Sequence, residues 1–430
     1  MMILTHLHFD HVFPAFGDDR EQQPAQPIAS SVYAWPGRGC CRGTTPRSSS
    51  PGPLRPGSGL DDRGKGGPPR DSEAAEGEDF GYPCRMTAAI DTSTDSGPPG
   101  QRLRVYATCP QSKDWEAAQY GARVADVARR SEQAGCEGIL VYVDNGIVDP
   151  WLVAERVISA TERLRPLVAV QPVYMHPYSV AKMIASLAFI HGRAVDLNML
   201  AGGFKNDLLA LGDTTEHDDR YERTVEYTQI VTGLLAGETV TVEGRWHTTK
   251  NLSLTPELPE ALRPRLMISG SSEAGRKASQ RIGALPIRYP EPVEEERSDS
   301  QDAPSGVRVG IITRGSDEEA WRVASDRFPE DRAGEVKHQL AMKVSDSDWH
   351  RELSAREPGG RGSGSAYWLG PFGRGQTFCP YLVGSYERVG RELARYLATG
   401  VGTFVLDIPP DPDELGHAGE ALASAGADRG

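Results

Sequence analysis

The 430-residue sequence has no Cys-x-x-Cys pair; its six cysteines, Cys40, Cys41, Cys84, Cys109, Cys136 and Cys379, are widely scattered. That argues against a disulfide framework and suits a reducing, cytoplasmic setting. No apolar run reaches the length of a membrane span. The first residues lack a basic stretch, and His and Asp interrupt their apolar run, so no secretory signal is expected. Positive charge is also in short supply, with 47 Lys and Arg against 60 Asp and Glu for a net charge of −13. Such an acidic chain is not expected to bind nucleic acid or an anionic membrane surface. Hydrophobic residues make up 38% of the chain, so a sizeable core needs them concentrated, and from about Arg102 onward they are.

Residues 1–101 are rich in Gly, Pro, Ser and charge, as in RSSSPGPLRPGSGLDDRGKGGPPRDSEAAEGEDFG. A segment with so little to bury does not offset its ordering entropy, and disorder is expected. Met86 lies within it as a plausible natural start. One motif there invites a chemical reading: THLHFDHV places His6, His8, Asp10 and His11 at zinc-hydrolase spacing. However, no further histidine occurs before His176. A tail without the rest of a ligand set and its supporting shell does not make an ordered catalytic centre, so no metal site is expected.

From Arg102 to about residue 425, apolar strand-like runs alternate with amphipathic helical ones. Strands are expected near 103–108, 138–143, 166–171, 193–199, 265–269, 284–288, 307–313 and 402–407. Several are continuously apolar, as parallel strands buried on both faces are. Helix signals separate them: Asp149 with Pro150 starts one helix, and Gly135 and Gly192 stop two others. Eight such units predict an α/β fold, a (β/α)8 TIM barrel, with a doubly wound open sheet as the alternative. Two insertions interrupt the pattern: a hairpin-like stretch at 238–254 and a Gly-rich, aromatic stretch at 329–380, which reads as a lid.

In a barrel, ligands meet the loops that follow the strands. Gly270, Ser271 and Ser272 join a strand directly to a helix, a turn whose N–H groups, hydroxyls and helix N-terminus suit a phosphate; a plain N-cap is the structural alternative. In HDDRYERTVEY, His217 and Tyr221 lie one turn apart at a helix start. On a purely structural reading, Asp218 or Asp219 caps that helix and Tyr221 packs.

The stretch LNMLAGGFKNDLLALGDTTEHDDRYERTVEYTQIVTGLLAGETVTVEGRWH resembles the middle of the bacterial luciferase-like flavin-dependent monooxygenases, closest to the alkanesulfonate monooxygenase branch. DPWLVAERVISATERLRPLVAVQP, ISGSSEAGRKASQRIGA, GIITRGSDEEAWRVA and ATGVGTFVLDIPP extend the resemblance, in the same order, from Arg102 to Pro410. It implies a TIM barrel that uses reduced FMN and dioxygen to oxygenate a small organic substrate. A separate NADPH- or NADH-dependent flavin reductase supplies the reduced FMN in such systems, and the family is often oligomeric. Carried over residue by residue, Gly270, Ser271 and Ser272 hold the FMN phosphate with Tyr221 nearby. Asn198, Ala201 and Gly202 flank the flavin ring. His217, Arg220 and Tyr221 match an active-site segment, and Arg374 matches an arginine of a mobile lid. Two positions depart from the branch: Ile147 or Val148 stands where it has a reactive cysteine, and Thr108-Cys109-Pro110-Gln111 where it has a histidine. Both put alkanesulfonate in doubt as the substrate. A deazaflavin-dependent oxidoreductase on the same fold and a non-catalytic flavin-binding barrel are the competing readings.

Overall fold

The computed structural model describes residues 103–295, 304–342, 353–356, 358–361, 364–407 and 413–427. The N-terminal extension, with its His6, His8, Asp10 and His11 motif, lies outside them, as do parts of the 329–380 insertion. Eight parallel strands form a closed ring: β1 (Arg104–Thr108), β2 (Gly138–Val141), β3 (Arg165–Val170), β4 (Asp196–Leu200), β7 (Leu266–Ser269), β8 (Leu285–Arg288), β9 (Ser305–Arg314) and β12 (Val401–Leu406). β8 pairs with β9, and β12 returns to β1 with Val105 opposite Phe404, so the open-sheet alternative is excluded. All eight fall where the apolar runs predict strands.

Two smaller pairings decorate the ring. β5 (Val240–Glu243) and β6 (Thr248–Leu252) make an antiparallel hairpin. β10 (Tyr367–Trp368) runs antiparallel to β11 (Tyr381–Ser385), and β11 lies parallel to the second half of β9, with Tyr381 opposite Gly310. The helices, in chain order, are α1 (Ala117–Gln133), α2 (Pro150–Ala160), α3 (Pro177–His191), α4 (Lys205–Ala210), α5 (His217–Leu235), α6 (Glu273–Ile282), α7 (Asp317–Arg327), α8 (Arg332–Met342), α9 (Gly370–Gly373), α10 (Tyr386–Ala398) and α11 (Asp413–Ala427). Local signals set several ends. The Asp149 carboxylate accepts the Trp151 N–H at 2.8 Å before Pro150, and Gly192 closes α3 in the left-handed region at φ 66°.

Strand residues alternate between two cores. Outward side chains, among them Val105, Ile139, Val307 and Phe404, pack under the helices. Inward ones, Tyr106, Leu140, Leu167, Met267, Ile287 and Val405, fill the middle of the barrel. Below this layer, at the strands' N-terminal end, lies a polar floor. Asp196 is fully buried and accepts from Tyr106 Oη at 3.0 Å, Arg165 Nη2 at 2.5 Å and the Arg265 backbone N–H at 3.0 Å. Arg265 also pairs with Glu137 at 2.7 Å. One carboxylate thus joins β1, β3, β4 and the start of β7.

Replacing Asp196 with Ala strands Arg165 beside a buried site. Asp196→Ala is expected to cost about 3 kcal/mol, the scale for breaking a buried pair. Urea denaturation measures it, and an unchanged midpoint would contradict the role of the floor.

Candidate active site

Filling the floor and the middle leaves only the upper end of the barrel for chemistry. There β7 turns sharply into α6. Ser269 Oγ donates to Asn198 Oδ1 at 3.0 Å, tying β7 to β4. Gly270 follows with φ 157°, and a Cβ there would lie 2.2 Å from the Tyr221 hydroxyl. Only glycine therefore lets α5 press Tyr221 against the turn. Ser272 caps α6, its Oγ accepting from the Gly275 N–H at 3.2 Å, and both Ser271 and Ser272 are half-buried. The result is a glycine cradle, two hydroxyls and the N-terminus of a ten-residue helix at one point of the mouth.

Of the residues singled out from sequence, Tyr221 meets this turn at Gly270 and Asn198 meets it at Ser269. The His217 ring meets Tyr221 edge-on at 5.3 Å, and its Nδ1 lies 2.7 Å from the Asp218 carboxylate. Asn198 and Ala201 are buried, and Gly202 adopts φ 104° with Leu208 packed where a side chain would project. Arg220 is buried at 4% exposure and donates to the Thr215 carbonyl at 2.9 Å, so it braces the loop leading into α5. Arg223 supports the same loop by donating to Asp213 at 2.6 Å; despite partial burial, this bond and those from Thr215 hold the Asp213 carboxyl down at about 2.

The purely structural reading of the α5 start is not met. Glu216, not Asp218 or Asp219, occupies the N-cap of α5, and it makes no side-chain capping bond. The two aspartates are engaged elsewhere, Asp218 with His217 and Asp219 with Arg245 at 2.6 Å. Arg374 does not join Tyr221 and the Gly270 turn: it donates to the Phe328 carbonyl at 3.2 Å and to Gln376 at 3.1 Å, over the Trp368 ring.

The opposite side of the mouth holds a cluster that the sequence reading missed. Arg308, pointing inward from β9, donates to the Tyr142 hydroxyl and to Asp407 at 3.2 Å. Tyr381 donates to the other Asp407 oxygen at 2.7 Å. Its ring lies over Gly310, where a Cβ would come within 2.2 Å of it. Burial opposes the charge on Arg308, but Tyr142, Tyr289 and Asp407 around it outweigh that and hold it firmly protonated. Burial also pushes the Tyr142 and Cys379 protons well up. The available signal was an arginine at an inward position of an otherwise apolar strand, VRVGIIT.

Beyond this cluster, Tyr367, Trp368 and Phe372 from the 329–380 insertion are buried. The loops after β2, β3 and β4 are stitched by Tyr174 Oη to Asn145 at 2.6 Å and by Asn145 to the Asp207 carbonyl at 3.1 Å.

A profile of the family described as luciferase-like monooxygenase matches residues 102–403. The chain is 34% identical over 289 residues to the 4-(gamma-L-glutamylamino)butanoyl-[BtrI acyl-carrier protein] monooxygenase BtrO of Niallia circulans, spanning 65% of this chain and 84% of that protein. Two solved structures are similar in fold. The long-chain alkane monooxygenase LadA gives a TM-score of 0.57 at 15% identity, covering 76% of this chain and 91% of its own. The oxygenating constituent of 3,6-diketocamphane monooxygenase from Pseudomonas putida, solved with FMN, gives 0.56 at 16% identity, covering 76% and 98%.

The contact between Tyr221 and Gly270 can be tested without any ligand. Gly270→Ala is expected to destabilise the protein by about 1–3 kcal/mol through overpacking. Adding Tyr221→Phe, which removes the nearest atom, should recover part of that loss. Thermal denaturation reads both, and a neutral Gly270→Ala would contradict the close approach.

Proposed function

Because the chain belongs to the luciferase-like monooxygenase family, we propose that it is an FMN-dependent monooxygenase that oxygenates a small organic substrate with reduced flavin and dioxygen. The observation that carries this reading is the Gly270–Ser272 turn, pressed close against the Tyr221 hydroxyl and leading directly into the α6 N-terminus. A phosphate fits such a place, since helix N-terminal N–H groups and the helix dipole both favour an anion. In this reading Gly270, Ser271 and Ser272 hold the FMN phosphate, with the Tyr221 hydroxyl beside it. Asn198 and the Ala201-Gly202 backbone border the flavin ring.

Reduced FMN supplies the electrons with which one atom of dioxygen is inserted into the substrate. The chain's own task is to orient the partners and keep water out. In this reading the buried Tyr367, Trp368 and Phe372 of the insertion shield the β9 side of the mouth from water. His217, held between Asp218 and Tyr221, is placed to hold or move a proton. Arg220 keeps that helix start in place, and in this reading the insertion that carries Arg374 serves as the lid.

The substrate is read from the relative named above, whose name specifies an acyl chain on an acyl-carrier protein. We take a thioester-tethered acyl group as the substrate class here, in preference to an alkanesulfonate. Ile147, Val148 and the Thr108–Gln111 stretch, which replace residues of the alkanesulfonate branch, agree with that choice. The remaining partners in this reading are an NAD(P)H-dependent flavin reductase and further copies of the chain, in the cytoplasm.

The test titrates the full chain with FMN and then follows oxygen consumption with reduced FMN over a panel of acyl thioesters. Saturable FMN binding, weakened roughly tenfold or more by Ser271→Ala with Ser272→Ala as charge-assisted bonds are lost, is expected. Substrate-dependent oxygen uptake should accompany it. Hydride transfer with a reduced deazaflavin and no oxygen uptake with FMN would overturn the proposal.

A further inference from the structure

The cluster on the β9 side of the mouth has an unbalanced supply of hydrogen bonds. Asp407, its carboxylate, is fully engaged by Arg308 and Tyr381, with the Cys379 thiol also against it. Arg308 Nε is buried with no hydrogen-bond partner among the described residues. The Tyr142 hydroxyl accepts from Arg308, which leaves its own hydrogen to be donated. Among the described residues these two donors thus have no acceptor, and a buried unmade hydrogen bond is costly enough that a working complex should supply one.

The charge of the cluster restricts what that acceptor is. Arg308 is already paired with Asp407 at 3.2 Å, at 14% and 13% side-chain exposure. A second carboxylate would face Asp407 across a poorly hydrated site and lack a cation of its own. A neutral carbonyl oxygen accepts from Arg308 Nε and Tyr142 without adding charge. The lysine alternative fails on shape, because only a guanidinium offers a side donor while its terminal nitrogen binds Tyr142 and Asp407.

We infer that Arg308, with Tyr142 and under the control of Asp407, is a substrate-binding residue that receives a neutral carbonyl oxygen of the amide or thioester type and rejects free carboxylates. The inference rests on the reading of the site as one for a tethered acyl substrate. It adds a recognition element on the wall opposite the Gly270 turn, contributed by β2, β9 and β12. Tyr381, laid over Gly310 by β11, fixes Asp407 and so sets the sign of the preference.

The experiment uses the full chain, with and without FMN, and two probes read by ligand-observed NMR: S-butanoyl-N-acetylcysteamine, which is neutral, and butanoate, which is not. The wild-type protein should bind the neutral probe in preference to the anion. Arg308→Met should weaken the neutral probe roughly tenfold or more, the effect of a hydrogen bond to a charged group, with FMN affinity unchanged. Asp407→Asn leaves the cation unbalanced and should move the preference toward butanoate by a similar factor. Should Arg308→Met fail to fold, the wild-type preference and the Asp407→Asn reversal still decide. A wild-type protein that favours butanoate, or an Asp407→Asn variant with the wild-type ratio, overturns the inference, as does unaltered binding by a folded Arg308→Met, which would leave only water at Nε. Absent FMN binding with the probe preference intact would count against the flavin reading alone.

Discussion

A closed eight-stranded barrel has an interior that must be filled, and the way this chain fills it decides where everything else goes. The bottom is closed by Asp196, fully buried and holding Tyr106, Arg165 and the start of β7 in one network. The middle is apolar, with Leu140, Leu167, Met267 and Ile287 in contact. With those layers occupied, polar inward positions remain only at the upper strand ends. Chemistry is confined there by packing, before any residue at the mouth is considered.

The mouth then divides into two walls of different character. On one side, Asn198, Ser269, Gly270 and Tyr221 make a small, hydroxyl-rich cradle backed by a helix N-terminus. That wall suits an anion. On the other, Tyr142, Arg308, Asp407 and Tyr381 form a charge-balanced cluster sealed by the β10–β11 insertion. That wall suits a neutral polar group. Proposing the cofactor for the first wall and the substrate for the second follows from their electrostatics. It also gives the inserted strand β11 a purpose: its Tyr381 closes the barrel over Gly310 and orients Asp407.

Much of this was legible in the sequence. The eight strands could be read because buried parallel strands are continuously apolar, and helix ends because Asp149 and Gly192 act through local backbone geometry. The association of the Gly270 turn with Tyr221 followed only from a family resemblance, since the two are brought together by the packing of α5 on α6. The N-cap of α5 was misplaced because two consecutive aspartates look like caps, yet their bonds are spent on His217 and Arg245. The Arg308 cluster was missed altogether. Its members come from four separate stretches, and their common direction depends on the inward register of each strand. Arg374 matched a motif, but a motif does not fix the direction of a long side chain, and here it turns to Phe328 and Gln376.

The central claim is that the Gly270–Ser272 turn and the α6 N-terminus anchor the cofactor. A crystal structure of the full chain with FMN tests it most directly. The phosphate should lie within hydrogen-bond distance of Ser271 or Ser272 and close to the Tyr221 hydroxyl, with the flavin ring beside Asn198. A phosphate bound elsewhere, with the Gly270 turn unoccupied, would contradict it.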